Sequence, residues 1–130
     1  MQCLFCHLAP TRIAAESDYG VLIDDAFPIS PGHCLIIPKR HIQSFFETDA
    51  AEREALFALA QTAKTRIEKN RCAENQSIPN GYNLGINDGV AAGQTVPHLH
   101  LHVIPRYSGD SDDPRGGIRW VLPTKAKYWD

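Results

Sequence analysis

His98-Leu99-His100-Leu101-His102-Val103-Ile104 carries a histidine at every second position. Side chains of a β-strand alternate between faces with a period of two. The spacing predicts a strand with three imidazoles on one face and Leu99, Leu101 and Val103 on the other, toward a core. Three titratable rings within reach of one another are poorly explained by packing alone. Near neutral pH an imidazole can act as a general acid or base, a nucleophile or a metal ligand. Three readings of the strand follow. The histidines bind one metal with an open position. Alternatively, one is a covalent nucleophile, and the others position it and protonate a leaving group. In the third reading they are satisfied polar residues on a partly exposed face.

The bulk properties frame that strand. A chain of 130 residues, with 43% hydrophobic residues, suits one domain (1–130) with a modest core. Thirteen basic and fifteen acidic residues give a formal charge of −2, which is no footprint for nucleic acid or a membrane surface. The longest apolar runs are far too short to span a bilayer. Met1-Gln2-Cys3-Leu4-Phe5-Cys6 has no basic segment followed by an apolar one, so a cytoplasmic location is expected. Cysteines there stay reduced. Cys3-x-x-Cys6 then reads as a metal pair, a redox pair or two coincidental buried thiols, rather than a structural disulfide.

Working outward from the histidines, Gly93-Gln94-Thr95 forms a small-residue turn just before them, and Asn87-Asp88-Gly89 forms another. Glycine lets backbone approach a ligand closely, and backbone N–H groups with a threonine hydroxyl can hold phosphate oxygens. Upstream, Tyr82–Ile86, His33–Pro38 and Tyr19–Asp25 read as strands. Asp49 with Glu52 three residues later reads as a capping box. Leu56, Leu59, Ala60, Ala63 and Ile67 continue at helical spacing to about Asn70, a core-facing stripe. Residues after Cys6 read as a short N-terminal helix, and Ile118–Pro123 as a short closing strand after a polar tail that begins near Ser108. The pattern predicts an α+β fold with an antiparallel sheet and one long helix.

The alternation His98-Leu-His100-Leu-His102-Val-Ile, with Asn87, Gly93-Gln94-Thr95, Asp25 and Gly32-His33-Cys-Leu-Ile-Ile-Pro-Lys39-Arg-His41, resembles the histidine triad family from Cys3 to about Arg106. The resemblance implies the histidine triad fold and cleavage at the α-phosphate of a purine nucleotide derivative. It makes His100 the attacking nucleophile, through a nucleotidyl-histidine intermediate, and sets His102 against the phosphate or the bridging atom. It assigns Asp25 to the ribose hydroxyls, and His33, Asn87, Gly93, Gln94 and Thr95 to the substrate pocket. A neutral imidazole is a good nucleophile and its phosphoramidate turns over. Two substrate classes remain open. One is dinucleoside polyphosphates of the diadenosine tetraphosphate type, and the other is nucleoside phosphoramidates or aminoacyl-adenylates. His102 argues against a uridylyltransferase, which has glutamine there. A nucleotide-binding regulator with little turnover and a three-histidine zinc hydrolase are the competing classes.

The zinc-bearing branch of this family, and the related galactose-1-phosphate uridylyltransferases, imply a structural zinc held by Cys3, Cys6, His41 and His98. Cys₂His₂ is a standard tetrahedral set. This gives the first histidine of the triad to the metal and leaves His100 and His102 for chemistry. His7 and Cys72 read as surface residues and Cys34 as a core thiol. A homodimer is expected, since closed two-fold pairs are the commonest assembly and the resemblance points the same way. Arg115, Arg119, Trp120 and Trp129 suggest that the tail helps build the partner's substrate pocket, or else caps its own domain's core.

Overall fold

The computed structural model describes residues 2–130. Five strands, β1 (Ile13–Glu16), β2 (Gly20–Asp24), β3 (Cys34–Pro38), β4 (Gly81–Ile86) and β5 (Leu101–Arg106), form one antiparallel sheet in the order β1-β2-β3-β5-β4. One long helix, α1 (Ala50–Ala73), packs across it. The expected α+β architecture is therefore present. Among the described residues, no helix is long and apolar enough to cross a membrane.

Helix α1 starts where the capping residues require. The Asp49 carboxylate accepts the Glu52 N–H at 2.8 Å, and the Glu52 carboxylate accepts the Asp49 N–H at 3.0 Å. These bonds satisfy donors that a helix start otherwise leaves unpaired. Glu52 also receives the Arg40 guanidinium at 3.0 and 2.7 Å, which anchors the residue next to His41. Leu56, Leu59, Ala63 and Ile67 bury the helix face against Leu22, Ile36, Leu99, Leu101 and Val103. On the opposite face of the sheet, Val21, Ile23, Leu35 and Ile37 form a second cluster, covered by Phe5, Leu8 and Ile13. β3 is buried throughout because it contributes to both clusters.

Three stretches differ from the sequence expectation. The N-terminal helix is only two 3-10 turns, Leu4–Cys6 and Pro10–Arg12, and residues 13–16 add the edge strand β1. Ile13 and Ala15 do alternate inward, but an alanine gives the period too little amplitude to read. Hydrogen-bonded β5 starts at Leu101, so His98, at a bend, and His100 stand in a lead-in, which is fixed by the Leu99 N–H donating to the Ile42 carbonyl at 2.7 Å. The alternation still holds, with Leu99, Leu101 and Val103 all buried. The closing strand is absent. Gly117–Val121 and Pro123–Lys125 are 3-10 turns, entered through Gly116 and Gly117 with φ of +94° and +48°. Left-handed backbone of this kind, which glycine adopts readily, turns the chain instead of extending it.

Candidate active site and metal centre

The N-terminal turn brings Cys3 and Cys6 to His41, just past β3, and to His98. Cys3 Sγ lies 3.4 Å from His98 Nδ1, and Cys6 Sγ lies 3.5 Å from the same atom. Cys6 Sγ and His98 Nδ1 are each 3.2 Å from His41 Nδ1. A tetrahedral zinc with ordinary bond lengths needs edges of about 3.3 Å between nitrogens and about 3.5 Å between nitrogen and sulfur. The four donors fit that spacing. The fully buried His98 ring is set for it, because its Nε2 faces the Pro38 carbonyl at 2.8 Å. A carbonyl only accepts, so the proton sits on Nε2 and Nδ1 keeps its lone pair. Burial also pulls the His98 pKa down, which favours the neutral ring a metal requires.

The same logic fixes the next two histidines. His100 Nδ1 lies 2.9 Å from the His98 carbonyl oxygen, so Nδ1 carries the proton and Nε2 is bare. Phe5, between the two cysteines, meets the His98 ring edge-on at 6.0 Å and the His100 ring at 5.2 Å. Reading residues by their chemistry passes over Phe5, although its place inside the C-x-x-C loop marks it. The His102 ring lies 5.2 Å from that of His100.

Behind His102 stand His33 and Asp25. The Ile29 N–H donates to His33 Nδ1 at 3.2 Å, which leaves the His33 proton on Nε2. That Nε2 lies 3.0 Å from His102 Nδ1 and 3.3 Å from an Asp25 oxygen. His33 therefore donates toward His102, whose own proton is left on Nε2. Burial lowers the pKa of His33 against the pull of Asp25. It lowers that of His102 too, helped by the neighbouring His100 and His33. Both rings are neutral at pH 7. Asp25, His33 and His102 are close enough to hold a cation. However, metal on His33 Nε2 would force a proton onto Nδ1, facing the Ile29 N–H. The cluster is a hydrogen-bond chain and not a second metal centre.

His33, His102 and Asn87 line a cleft of about 320 Å³. Its remaining walls include Ile29 and Leu84, and, from the tail, Ile118 and Val121. Asp25 is outside this cleft's lining and, with Asp24, His33 and Arg66, lines a neighbouring one; it also accepts the Phe27 N–H at 2.8 Å. Asn87 makes no hydrogen bond among the described residues, so its amide is free for a ligand. Gly93 and Thr95 stay exposed on the loop before His98, outside the cleft lining. Gly93 has φ +95° with open space around it, so its conformation calls for glycine, not crowding.

One expectation is corrected. Gln94 is not available to a substrate. Its side chain is buried, donating to the Gln43 and Val96 carbonyls and accepting the Gly89 N–H, while its own N–H donates to the Gly89 carbonyl. It braces the loop. In their own chain the tail residues Arg115, Arg119, Trp120 and Trp129 do not line the cleft. Arg115 pairs with Asp113 and stacks on Trp129, Arg119 donates to the Lys125 and Ala126 carbonyls over Tyr128, and the Trp120 N–H donates to the Arg115 carbonyl. Charge and aromaticity hold the tail together, and its aliphatic residues face the cleft.

Comparison with known proteins agrees with this geometry. The HIT domain matches residues 8–109. An uncharacterized HIT-like protein of Mycoplasma genitalium is 35% identical over 81% of this chain and 73% of its own length. The asymmetrical bis(5'-nucleosyl)-tetraphosphatase of Schizosaccharomyces pombe is 42% identical over 75% of this chain, which spans about half (53%) of that enzyme. A crystal structure of a zinc-bound histidine triad family protein from Mycobacterium smegmatis superposes with a TM-score of 0.59 at 38% identity, covering 79% of this chain and 70% of the other. With its three alternating histidines, capped helix and antiparallel sheet, the chain belongs to the HIT family.

Proposed function

We propose that the protein hydrolyses purine nucleotide derivatives at the α-phosphate through a nucleotidyl intermediate on His100. The carrying observation is the pair of opposed tautomers: a bare Nε2 on His100 beside a protonated Nε2 on His102. His100 Nε2 attacks phosphorus, a P–N bond forms, and the bond to the leaving group breaks. His102 Nε2–H hydrogen-bonds the leaving atom, which departs and takes its proton from solvent water. The positive charge that develops on the His100 ring is stabilised by its Nδ1–H donating to the His98 carbonyl. Water then attacks phosphorus, the P–N bond breaks with its electron pair returning to His100 Nε2, and the water proton is released to solvent. Asp25 accepts the ribose hydroxyls, and Asn87, Gly93 and Thr95 serve the phosphate side.

Zinc, held by Cys3, Cys6, His41 and His98, supplies structural cross-linking. These residues clamp the N-terminal turn, and with it Phe5, onto the histidine segment. Dinucleoside polyphosphates are the substrate class supported by the tetraphosphatase relative. Phosphoramidates are the second reading, favoured by the absence of any lysine or arginine from the cleft lining. We place the protein in the cytoplasm as a homodimer. Intact-mass measurement during turnover of diadenosine tetraphosphate and of an adenosine phosphoramidate tests the mechanism. Wild type should gain one adenylyl group and His100→Ala none, and near-normal turnover by His100→Ala would end the proposal.

A further inference from the structure

Asn87 lines the cleft without a hydrogen bond to any described residue, so its backbone alone aims its amide. That backbone is held on both sides of Asn87 but not at it. β4 ends one residue earlier, at Ile86, which pairs with Leu101. The loop beyond is closed from Gly89 onward, whose N–H and carbonyl both bond Gln94. Asn87 and Asp88 bridge these two fixed points, and among the described residues neither makes a backbone-to-backbone hydrogen bond there. A side chain makes the tie instead. Asp88 Oδ2 accepts the Ser44 hydroxyl at 3.0 Å and the Phe45 N–H at 2.8 Å.

Both donors are themselves fixed. The Ser44 hydroxyl oxygen accepts the Phe46 N–H at 3.1 Å, which leaves its own proton for Asp88. Ile42, two residues before Ser44, is buried in the α1-side core, and its carbonyl holds the Leu99 N–H. From the other end, the Thr48 hydroxyl donates to the Phe45 carbonyl at 2.6 Å. Asp88 therefore fastens the backbone beside Asn87 to a segment already rooted in the core. Gln94 restrains residues 89–96, whereas Asp88 restrains the residue that follows Asn87.

We propose that Asp88 is a positioning residue. Through Ser44 and Phe45 it holds the backbone at Asn87 so that the Asn87 amide meets the phosphate side of the substrate. This rests on the reading of Asn87 above and adds the group that aims it. Both hydrogen bonds fall on one carboxylate oxygen, so the role calls for an acceptor and not for a charge.

A double-mutant cycle tests it, on kcat/KM for whichever of diadenosine tetraphosphate and the adenosine phosphoramidate wild type turns over faster. Asp88→Ala should lose about fivefold, less than the full worth of one ligand hydrogen bond. In an Asn87→Ala background the same change should cost less than about twofold, because a residue that acts through another is not additive with it. Asp88→Asn keeps an oxygen where Oδ2 accepts and should stay within about twofold of wild type. Ser44→Ala repeats the cycle from the donor's side, so a folding defect in Asp88→Ala does not decide the matter. It too should lose activity only where Asn87 is present. A general loosening of the loop would lower activity alike with and without Asn87, and equal losses in the two backgrounds overturn the proposal. So does a loss in Asp88→Asn as large as that in Asp88→Ala. If Asn87→Ala alone keeps wild-type kcat/KM, the reading of Asn87 fails and the positioning role with it, whereas no turnover of either substrate defeats the α-phosphate reading itself.

Discussion

Leu99 stands between His98 and His100, the proposed zinc ligand and the proposed nucleophile, and packs into the α1-side core. It is 1% exposed within the α1-side core, and its N–H is held by the Ile42 carbonyl. Leu99→Ala removes three buried carbons and leaves a cavity, a change that costs about 3 kcal/mol in a well-packed core. Unfolding a chain of 130 residues carries an entropy of about 0.27 kcal/mol/K, so the melting temperature should fall by about 11 °C. Circular dichroism melts of metal-replete protein measure it. Phe57→Ala, at a 58% exposed position on α1, is the control and should shift the midpoint by less than about 4 °C. If Leu99→Ala melts within a few degrees of wild type, the segment is not held by its leucine face, and the account of what positions the histidines fails.

Stability should rise with pH up to about 6.5 and then level off. His33 and His102 have lowered folded-state pKa values, so below the ordinary histidine value the unfolded chain binds more protons. The slope should reach at most about 1.4 kcal/mol per pH unit for each ring, and urea midpoints that do not change between about pH 5 and about pH 7 would contradict it. One zinc per chain should be found by metal analysis, and Cys6→Ser should lose it and melt lower than Leu99→Ala. Retention of full zinc by Cys6→Ser would remove that cysteine from the ligand set. Asn87→Ala should lower kcat/KM about tenfold, the worth of one ligand hydrogen bond, with an unchanged melting temperature. Light scattering should give twice the chain mass, and a monomer at micromolar concentration would contradict the homodimer.

Much of this was legible because period and chemistry coincided. Alternating histidines and leucines marked both a core face and a reactive face, and Asp49 with Glu52 marked the helix start to the residue. β1 was hidden because Ala14 and Ala15 differ too little in hydrophobicity to declare a face. Ile118–Pro123 looked like a strand because nothing in its apolar residues reveals that Gly116 and Gly117 take left-handed backbone. Gln94 looked like a phosphate ligand by its neighbours, and only the loop's closure on Gln43 and Gly89 assigns its amide inward. The tautomers were beyond any sequence reading. They depend on the Pro38 and His98 carbonyls and the Ile29 N–H, backbone groups that every residue carries and only the fold aims.

The four proposed zinc ligands span about three quarters of the chain, with Cys3 and His98 separated by 95 positions. Closing so long a loop costs little extra stability, since the entropy grows only with the logarithm of length. It does cost time, because contacts distant in sequence form late in folding. A growing chain that has released Cys3, Cys6 and His41 from the ribosome still lacks its fourth donor. His100 follows only two residues after that donor, and the backbone carbonyl that fixes its proton belongs to His98. On the proposed roles, metal capture and the arming of His100 therefore fall together late in maturation, and a half-made chain has neither a complete clamp nor a reactive imidazole.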